Sequence, residues 1–332
     1  MSDARAVIFG CAGKTLTSDE RSLFERAQPW GAILFARNID TPTQLSALTA
    51  ELRAAVGRDL PILIDQEGGR VQRMRAPHWR DWAPALEQCE KATDPARAMY
   101  LRGQIIAHEL RAVGIDVNCA PLGDIASDIT HPVLHNRCYG RSRIEVVANA
   151  RAMADGLMAG GVLPVLKHIP GHGRATLDSH LDLPVIDAAR DLLEETDFAA
   201  FADLADLPLG MTAHLVFSQI DPSAPATQSP RMITLIREQI GFDGLLMTDD
   251  ISMKALRGPI TTRALSSLAA GCDLVLHCNG NLYEMSALAE CCPELTSSAL
   301  ARSQAALAAR GKALSCDLAT LEAAYTRALG AG

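Results

Sequence analysis

Aromatic residues, positive charge and long apolar runs are all scarce in this sequence. Phe, Trp and Tyr make up 4% of its 332 residues, so a base-stacking surface for single-stranded nucleic acid is not expected. Acidic residues outnumber basic ones by 39 to 31, and the net charge of −8 gives little attraction for phosphate polymers. No stretch reaches the roughly 20 apolar residues of a membrane span, and the apolar run at residues 6–9 is too short for a signal peptide. We therefore expect no nucleic-acid partner, no membrane partner and a cytoplasmic location.

Cysteine spacing points in the same direction. The chain has nine cysteines, an odd number scattered along its length, so the thiols suit a reducing compartment better than a disulfide framework. The adjacent pair Cys291 and Cys292 and the isolated Cys278 lack zinc-ribbon spacing. We expect these three side chains to be buried or half-buried, as small apolar groups are.

Strand-like segments alternate with helical ones along the chain. They lie at residues 6–9, 31–35, 61–64, 115–119, 162–166, 209–213, 245–248 and 273–276. Most are continuous apolar runs, which are typical of parallel strands buried on both faces. Alternations of this number predict an α/β fold, a (β/α)8 TIM-type barrel, with residues 1–332 forming a single domain. A doubly wound open sheet is the alternative, but the glycines at residues 10–13 lack the spacing of its phosphate-binding turn.

Helix signals separate these strands. Thr41, Pro42 and Gln44 form a capping-box pattern at the start of a helix that Gly57 ends. Further helices are predicted at residues 19–27, 94–113, 144–159, 187–204, 232–240, 297–310 and 318–329. The helices within residues 297–330 should pack on the barrel.

Polar residues follow several strands at the end where a barrel carries its chemistry. They are Asp65 to Arg70 after the third strand, Lys167 and His168 after the fifth, His214 after the sixth, Asp249 and Asp250 after the seventh, and His277 to Asn279 after the eighth. A barrel would bring these side chains together, so the prediction of a site depends on the prediction of the fold.

The loop after the fifth strand is the densest of these segments. His168, His172 and His180 could belong to a metal-dependent site, but a Pro-Gly turn between the first two prevents their stacking on one helix face. Asp178 is close enough along the chain to orient His180 or to balance its charge. A loop merely shaped by histidines and glycines is the remaining alternative.

The adjacent carboxylates after the seventh strand have separate predicted roles. Neighbouring residues in a strand point to opposite sides, so only one of Asp249 and Asp250 should face the barrel mouth directly. A carboxylate there can attack the anomeric carbon of a sugar. Capping the next helix suits Asp250 better than Asp249.

These segments, taken in order, resemble glycoside hydrolase family 3 and in particular its single-domain bacterial β-N-acetylhexosaminidases. The resemblance spans roughly residues 5 to 280 and rests on five blocks. They are Asp65-Gln66-Glu67-Gly68-Gly69-Arg70-Val71-Gln72-Arg73, Lys167-His168-Ile169-Pro170-Gly171-His172-Gly173 with Asp178-Ser179-His180, Met211-Thr212-Ala213-His214, Thr248-Asp249-Asp250-Ile251-Ser252-Met253 and Ala270-Gly271-Cys272-Asp273-Leu274.

The resemblance implies an enzyme that removes terminal β-linked N-acetylglucosamine with retention of configuration. Asp249 would be the nucleophile, and His180, assisted by Asp178, the general acid/base. The residues that would hold the sugar are Asp65, Arg73, Arg137, Lys167 and His168, and His214 would line the pocket. Against the negative net charge, Lys167, Arg73 and Arg137 would form the local cationic cluster that binds the sugar.

The resemblance also implies a role in cell-wall recycling. The substrate would be N-acetylglucosamine linked β-1,4 to 1,6-anhydro-N-acetylmuramic acid, with or without a stem peptide. No cofactor and no metal are implied, and we expect a monomer. The alternatives are a phosphorylase on the same fold, a metal-dependent barrel hydrolase that uses His168, His172, His180 and Asp249, and a non-catalytic sugar-binding protein.

Overall fold

Eight parallel strands close into a barrel in this computed structural model, which describes residues 4–178, 182–314 and 317–330. The strands are β1 (Arg5–Gly10), β2 (Pro29–Leu34), β3 (Ile62–Ile64), β4 (Val117–Asn118), β5 (Leu163–Ile169), β6 (Leu209–Thr212), β7 (Leu245–Asp250) and β8 (Leu274–His277). Each pairs in parallel with its neighbours in sequence, and β8 pairs with β1. The (β/α)8 barrel is confirmed, and the doubly wound open sheet is excluded because the sheet has no free edge.

The continuous apolar runs form the strands because both faces of the sheet are covered. One set of strand side chains fills the barrel interior, and the other set packs beneath the surrounding helices. The interior set includes Ile8, Ile33, Leu63, Val117, Cys119, Leu163, Val165, Leu209, Met211, Leu245, Met247, Leu274 and Leu276. The barrel is therefore a packed core with no channel through it.

Helices connect the strands on the outside. They are α1 (Ser18–Ala27), α2 (Pro42–Val56), α3 (Ala85–Lys91), α4 (Pro95–Ala112), α5 (Pro132–His135), α6 (Arg143–Ala159), α7 (Arg190–Glu195), α8 (Asp197–Ala202), α9 (Pro230–Glu238), α10 (Ile260–Ala270), α11 (Leu282–Cys291), α12 (Ser297–Ala309) and α13 (Leu318–Ala328). Two short sheets lie in the loops, one of Gln66–Gly68 and Val71–Gln72 and one of Val185–Ile186 and Val216–Phe217.

The start of α2 forms half of the predicted capping box. Thr41 Oγ1 accepts a hydrogen bond from the backbone N–H of Gln44 at 3.2 Å, as expected of an N-cap threonine. The Gln44 side chain instead accepts from the backbone N–H of Asp40 at 2.8 Å. At the other end, Gly57 has a φ of 67°, the left-handed conformation that ends many helices.

The prediction of one continuous helix at residues 187–204 is wrong, because two short helices, α7 and α8, occupy this stretch. The break falls at Thr196, whose φ and ψ are −117° and −81°. Arg174, from the loop after β5, donates to Thr196 Oγ1 at 3.0 Å and to Asp197 Oδ2 at 2.6 Å. Arg174 therefore binds the two residues at the break between α7 and α8, where one continuous helix was predicted.

Helix α12 crosses the amino-terminal end of the barrel. Its Ala299 and Ala306 pack against the interior cluster, and Ser303 Oγ accepts a hydrogen bond from Trp30 Nε1 at 2.7 Å. Just beyond the helix, Arg310 forms ion pairs with Asp59 and Asp116. This end of the barrel is covered, so a ligand can approach only from the opposite, carboxyl-terminal end.

The cysteines within the described residues are free thiols, with Cys278 and Cys291 half-buried and the others buried. This confirms the expected burial of Cys291, Cys292 and Cys278. None of the helices in the described ranges is both long and apolar enough to cross a membrane.

Candidate active site

A cavity of about 410 Å³ opens at the carboxyl-terminal end of the barrel. It is lined by Ile33, Phe35, Arg37, Asp65, Arg70, Val71, Arg73, Val133, Leu134, Arg137, Lys167, His168, His172, Met211, Asp249, Asp250, Met253, Leu276, Cys278 and Asn279. The volume is in the range of small-ligand sites. Six of the predicted site residues, Asp65, Arg73, Arg137, Lys167, His168 and Asp249, thus meet in one cavity although they come from separate loops and strands.

Five charged side chains, four lining the cavity and the fifth, Glu67, buried behind them, alternate in sign along one wall. Arg73 Nη2 lies 2.9 Å from Asp65 Oδ2, and Asp65 Oδ1 lies 3.0 Å from Lys167 Nζ. Lys167 Nζ also contacts Glu67 Oε1 at 2.6 Å, and Glu67 forms a two-pronged pair with Arg137 at 2.8 and 2.9 Å. We call Arg73, Asp65, Lys167, Glu67 and Arg137 the ion-pair chain.

Burial strengthens the ion pairs within the ion-pair chain. Burial alone would raise the pKa of Asp65, but Lys167 and Arg73 outweigh it and hold that pKa well below its usual range. The pKa of Glu67 is lowered in the same way by Arg137 and Lys167. Burial would lower the pKa of Lys167, yet its two carboxylate partners raise it. Asp65, Glu67 and Lys167 are therefore charged at neutral pH.

The three cations that were predicted to bind the sugar are not a cluster of unpaired positive charges. Lys167, Arg73 and Arg137 do lie together, but each is paired with a carboxylate of the ion-pair chain. The sequence predicted the cations and missed Glu67, which bridges two of them. The wall therefore presents fixed donors and acceptors, which suit neutral hydroxyl and amide groups, with only a small excess of positive charge.

A single buried carboxylate orders the loop after β5. Asp124 Oδ2 lies 2.8 Å from His168 Nδ1, and its Oδ1 accepts from the backbone N–H of His172 at 2.6 Å. Burial would raise the pKa of Asp124, but His168 and His172 together outweigh burial and lower that pKa. With Nδ1 directed at the carboxylate, the ring of His168 is fixed so that Nε2 is available to the cavity.

The carboxylates at the end of β7 differ in their surroundings. Asp249 Oδ1 accepts from the backbone N–H of Asp250 at 2.8 Å. Asp250 accepts from the backbone and hydroxyl of Ser252 at 3.0 and 2.6 Å and from the backbone of Cys278 at 3.2 Å. The expectation that Asp250 caps the next helix is wrong, because α10 begins only at Ile260. Asp250 instead fixes the turn after β7 and joins it to β8.

His214 does not line the cavity, contrary to the expectation. Its side chain is buried, with Nδ1 2.8 Å from Thr227 Oγ1 and Nε2 3.1 Å from the carbonyl oxygen of Asp250. Burial lowers its pKa, so the ring is neutral at pH 7 and donates from at most one nitrogen. It lies under the site and supports the backbone at Asp250.

The predicted acid/base pair falls at the edge of what the structure describes. Asp178 is half-buried and is not among the described residues that line the cavity. His180 lies outside the described residues. Their assignment as general acid/base and helper therefore stays a prediction.

Two buried acids of the site were missed at the level of sequence. Glu67 lies inside the block after β3, and Asp124 follows β4 by six residues, a strand end for which no polar residue was considered. The rule that chemistry follows the carboxyl ends of barrel strands placed Glu67 at the site end without a role, and applied to β4 it would have found Asp124.

The predicted metal set of His168, His172, His180 and Asp249 includes a residue, His180, that lies outside the described residues. No three His, Cys, Asp or Glu side chains of the described residues are grouped as a metal ion requires, and Nδ1 of His168 is directed at Asp124.

Comparison with known proteins places the chain in a family. Residues 11–308 match the model described as the glycosyl hydrolase family 3 N terminal domain. The chain belongs to glycosyl hydrolase family 3. It is 40% identical to a beta-hexosaminidase of Alkalilimnicola ehrlichii over 281 residues, which cover 82% of this chain and 80% of that protein. A beta-hexosaminidase of Methylococcus capsulatus is 39% identical, with 82% of each chain covered.

Solved structures agree with this membership. The NagZ of Neisseria gonorrhoeae in complex with N-trifluoroacetyl-D-glucosamine superposes with a TM-score of 0.85 and 31% identity, covering 100% of this chain and 99% of that one. A family 3 beta-N-acetylglucosaminidase of Paenibacillus gives a TM-score of 0.81 and 30% identity, covering 97% of this chain and 66% of that one. The chain is therefore a glycoside hydrolase, as the sequence motifs predicted.

Proposed function

We propose that this glycoside hydrolase is a retaining exo-β-N-acetylglucosaminidase. The observation that carries the proposal is the presence of Asp249 in the same cavity as the ion-pair chain and His168. A carboxylate in one cavity with fixed polar groups that can hold a sugar is what attack on that sugar requires. The names of the similar proteins, beta-hexosaminidase and beta-N-acetylglucosaminidase, support the choice of sugar.

Under this proposal the reaction has two steps. A carboxylate oxygen of Asp249 attacks the anomeric carbon while the glycosidic bond breaks, and the leaving oxygen takes a proton from His180. Water then attacks the same carbon and gives its proton to His180, which releases the sugar and restores Asp249. Two inversions at one carbon retain its configuration. Asp178 would orient His180 in both steps.

The ion-pair chain and His168 hold the sugar in this scheme. Asp65 offers carboxylate oxygens, and Arg73, Arg137 and Lys167 offer N–H donors whose directions are fixed by their carboxylate partners. Fixed groups lose little freedom when the substrate binds, which favours a single orientation of the ring over Asp249. We assign His214 a supporting role through the Asp250 backbone.

Asp249→Ala tests the nucleophile. We expect kcat/KM for an aryl β-N-acetylglucosaminide to fall by about 10³-fold or more, since the covalent step is lost. Proton NMR of the first sugar released by the wild type should show the β anomer. The matched control is Asp243→Ala, because Asp243 is 87% exposed at the covered end of the barrel. Activity of Asp249→Ala within about tenfold of wild type, or release of the α anomer, would contradict the assignment.

We further propose that the substrate is N-acetylglucosamine β-1,4-linked to 1,6-anhydro-N-acetylmuramic acid, with or without a stem peptide. The similarity to a NagZ over the whole chain supports this choice. Incubation of the purified disaccharide with the enzyme should release free N-acetylglucosamine. Formation of the sugar 1-phosphate in phosphate buffer would instead identify the enzyme as a phosphorylase. A cytoplasmic location, a role in cell-wall recycling and a monomeric state remain predictions that belong with this substrate.

A further inference from the structure

Two arginines at the cavity mouth differ from the other cations of the site. Arg37 and Arg70 line the cavity and are exposed, whereas Lys167 is almost fully buried. In the described part of the chain, neither guanidinium is in ion-pair contact with a carboxylate, and their side-chain acceptors are backbone carbonyls. The mouth therefore carries two positive charges that the protein itself does not neutralise.

Arg37 is held in place beside the sugar-binding wall. Its Nε donates to the carbonyl of Cys11 at 3.0 Å, and its Nη2 donates to the carbonyl of Cys278. Its guanidinium carbon lies 4.8 Å from the centre of the Phe35 ring, and that of Arg73 lies 5.2 Å from the same centre. One aromatic ring thus places Arg37 next to the first member of the ion-pair chain. The remaining N–H donors of its guanidinium are not used by these contacts.

Arg70 occupies the tip of the hairpin that contains Glu67 and is flanked by Asp65 and Arg73. The hairpin strands are Gln66–Gly68 and Val71–Gln72, and Gly69 between them has a φ of 56°, which glycine adopts readily. Arg70 Nη1 donates to the carbonyl of Val133 at 3.0 Å. The side chain therefore extends from the hairpin toward α5 at the cavity edge, and it is not part of the ion-pair chain.

We propose that Arg37 and Arg70 bind a carboxylate on the leaving group of the substrate. The inference rests on the proposed function, and it names the chemistry of the part of the substrate that lies at the mouth. A guanidinium offers paired N–H donors that match a carboxylate. The whole chain has a net charge of −8. The two unpaired cations at the entrance therefore form a local positive region on an acidic protein, and they would favour an anionic leaving group.

A pair of substrates that differ in one charge tests the proposal. The first is the disaccharide of N-acetylglucosamine and 1,6-anhydro-N-acetylmuramic acid with a free lactyl carboxylate, and the second is the same disaccharide with a lactyl amide. The leaving oxygen is the same in both. We expect wild-type kcat/KM to favour the carboxylate by about three- to tenfold at low salt and the preference to shrink as sodium chloride is added.

Substitution of either arginine should remove part of that preference. Arg37→Gln and Arg70→Gln should each lower the carboxylate-to-amide ratio of kcat/KM, and the double variant should bring it to about one. Because the ratio is taken within each variant, a general loss of activity cancels. The control is Arg26→Gln, an exposed arginine in the last turn of α1, which should keep the wild-type ratio.

The outcomes separate the two proposals. A wild type that hydrolyses both disaccharides at equal kcat/KM would overturn the role of Arg37 and Arg70 and leave the proposed function standing. A wild type that hydrolyses neither disaccharide would overturn the proposed function and this inference with it. An equal loss of preference in Arg26→Gln would show a general effect of net charge and would overturn the specific role.

Discussion

Glu67 determines how the ion-pair chain holds together. Its side chain is 3% exposed and contacts two cations, Lys167 and Arg137, that are themselves nearly buried. Removing an ion from water is costly, and only close oppositely charged partners offset that cost. Without Glu67, two positive charges would face each other with a single remaining carboxylate, Asp65. The residue therefore fixes the donors that the proposed function assigns to the sugar.

Glu67→Gln tests this dependence while preserving the shape of the side chain. We expect the free energy of unfolding to fall by about 3 to 5 kcal/mol, as when one partner of a buried ion pair is removed, and kcat/KM for the aryl glycoside to fall with it. Urea unfolding and steady-state kinetics measure the two effects.

The control for this change is Glu87→Gln. Glu87 pairs with Lys91 one turn along α3, with both side chains well exposed, so the expected cost is at most about 0.5 kcal/mol. Equal losses in the two variants would contradict a special role for the buried pair.

At the scale of elements, strands were easier to predict than helices. All eight barrel strands overlap their predicted segments, because a strand buried on both faces is marked by its own residues. Helices α3, α5, α10 and α11 were missed. Helix α10 follows Pro259, which forms no side-chain cap hydrogen bond, so its start carries no local signal. Helix α11 begins at Leu282 after Asn281, which does cap it, and that asparagine could have been recognised.

Position along the strands indicated single residues of the site, but it did not indicate which residues would pair with each other. Asp65 follows β3, and Lys167 and Asp249 lie near the carboxyl-terminal ends of β5 and β7, so position along the strands indicated all three. The pairing of Glu67 with Arg137 joins residues 70 positions apart, and the contact of Asp124 with His168 joins residues 44 apart. Such pairs are set by the closure of the barrel, and a single sequence carries no direct signal of them.

The contact between α12 and the barrel leads to a prediction about that helix. Ser303→Ala removes the acceptor of the buried Trp30 N–H, and an unsatisfied buried donor costs about 1 to 3 kcal/mol. We expect urea unfolding to show a loss of this size, while kcat/KM well below the unfolding temperature stays at the wild-type value because the site is at the opposite end. Ser297→Ala, on the exposed first turn of α12, should change stability by at most about 0.5 kcal/mol. A Ser303→Ala variant as stable as Ser297→Ala would show that this bond does not anchor α12.

At the scale of the whole molecule, buried ionisable groups connect the site to stability in acid. Burial would raise the pKa of Asp65 and Glu67, but their cationic partners lower both below the ordinary values of 3.8 and 4.5. The unfolded chain binds protons at these groups before the folded one does, so their contribution to stability is lost as pH falls below about 4.5. A loss of stability that begins near pH 6.5 as pH falls comes instead from groups with higher ordinary pKa values.

His172 is such a group, and it gives the last prediction. Burial, with His168 next in importance, lowers its pKa from 6.5 to about 4. Between these values the unfolded chain binds a proton at His172 that the folded chain does not, so the free energy of unfolding decreases as pH falls. We expect this residue alone to account for a loss of about 1 kcal/mol between pH 7.5 and pH 5.5.

Urea unfolding of His172→Gln at several pH values measures that contribution. The variant should be less stable than wild type at pH 7.5 but should lose about 1 kcal/mol less on going to pH 5.5, because glutamine does not titrate. His78→Gln is the control, since His78 is exposed and its removal should leave the wild-type slope. A slope in His172→Gln as steep as in wild type would show that His172 is protonated in the folded protein as readily as in the unfolded chain. That result would contradict a neutral, buried His172 ring beside Asp124 and His168 in the site.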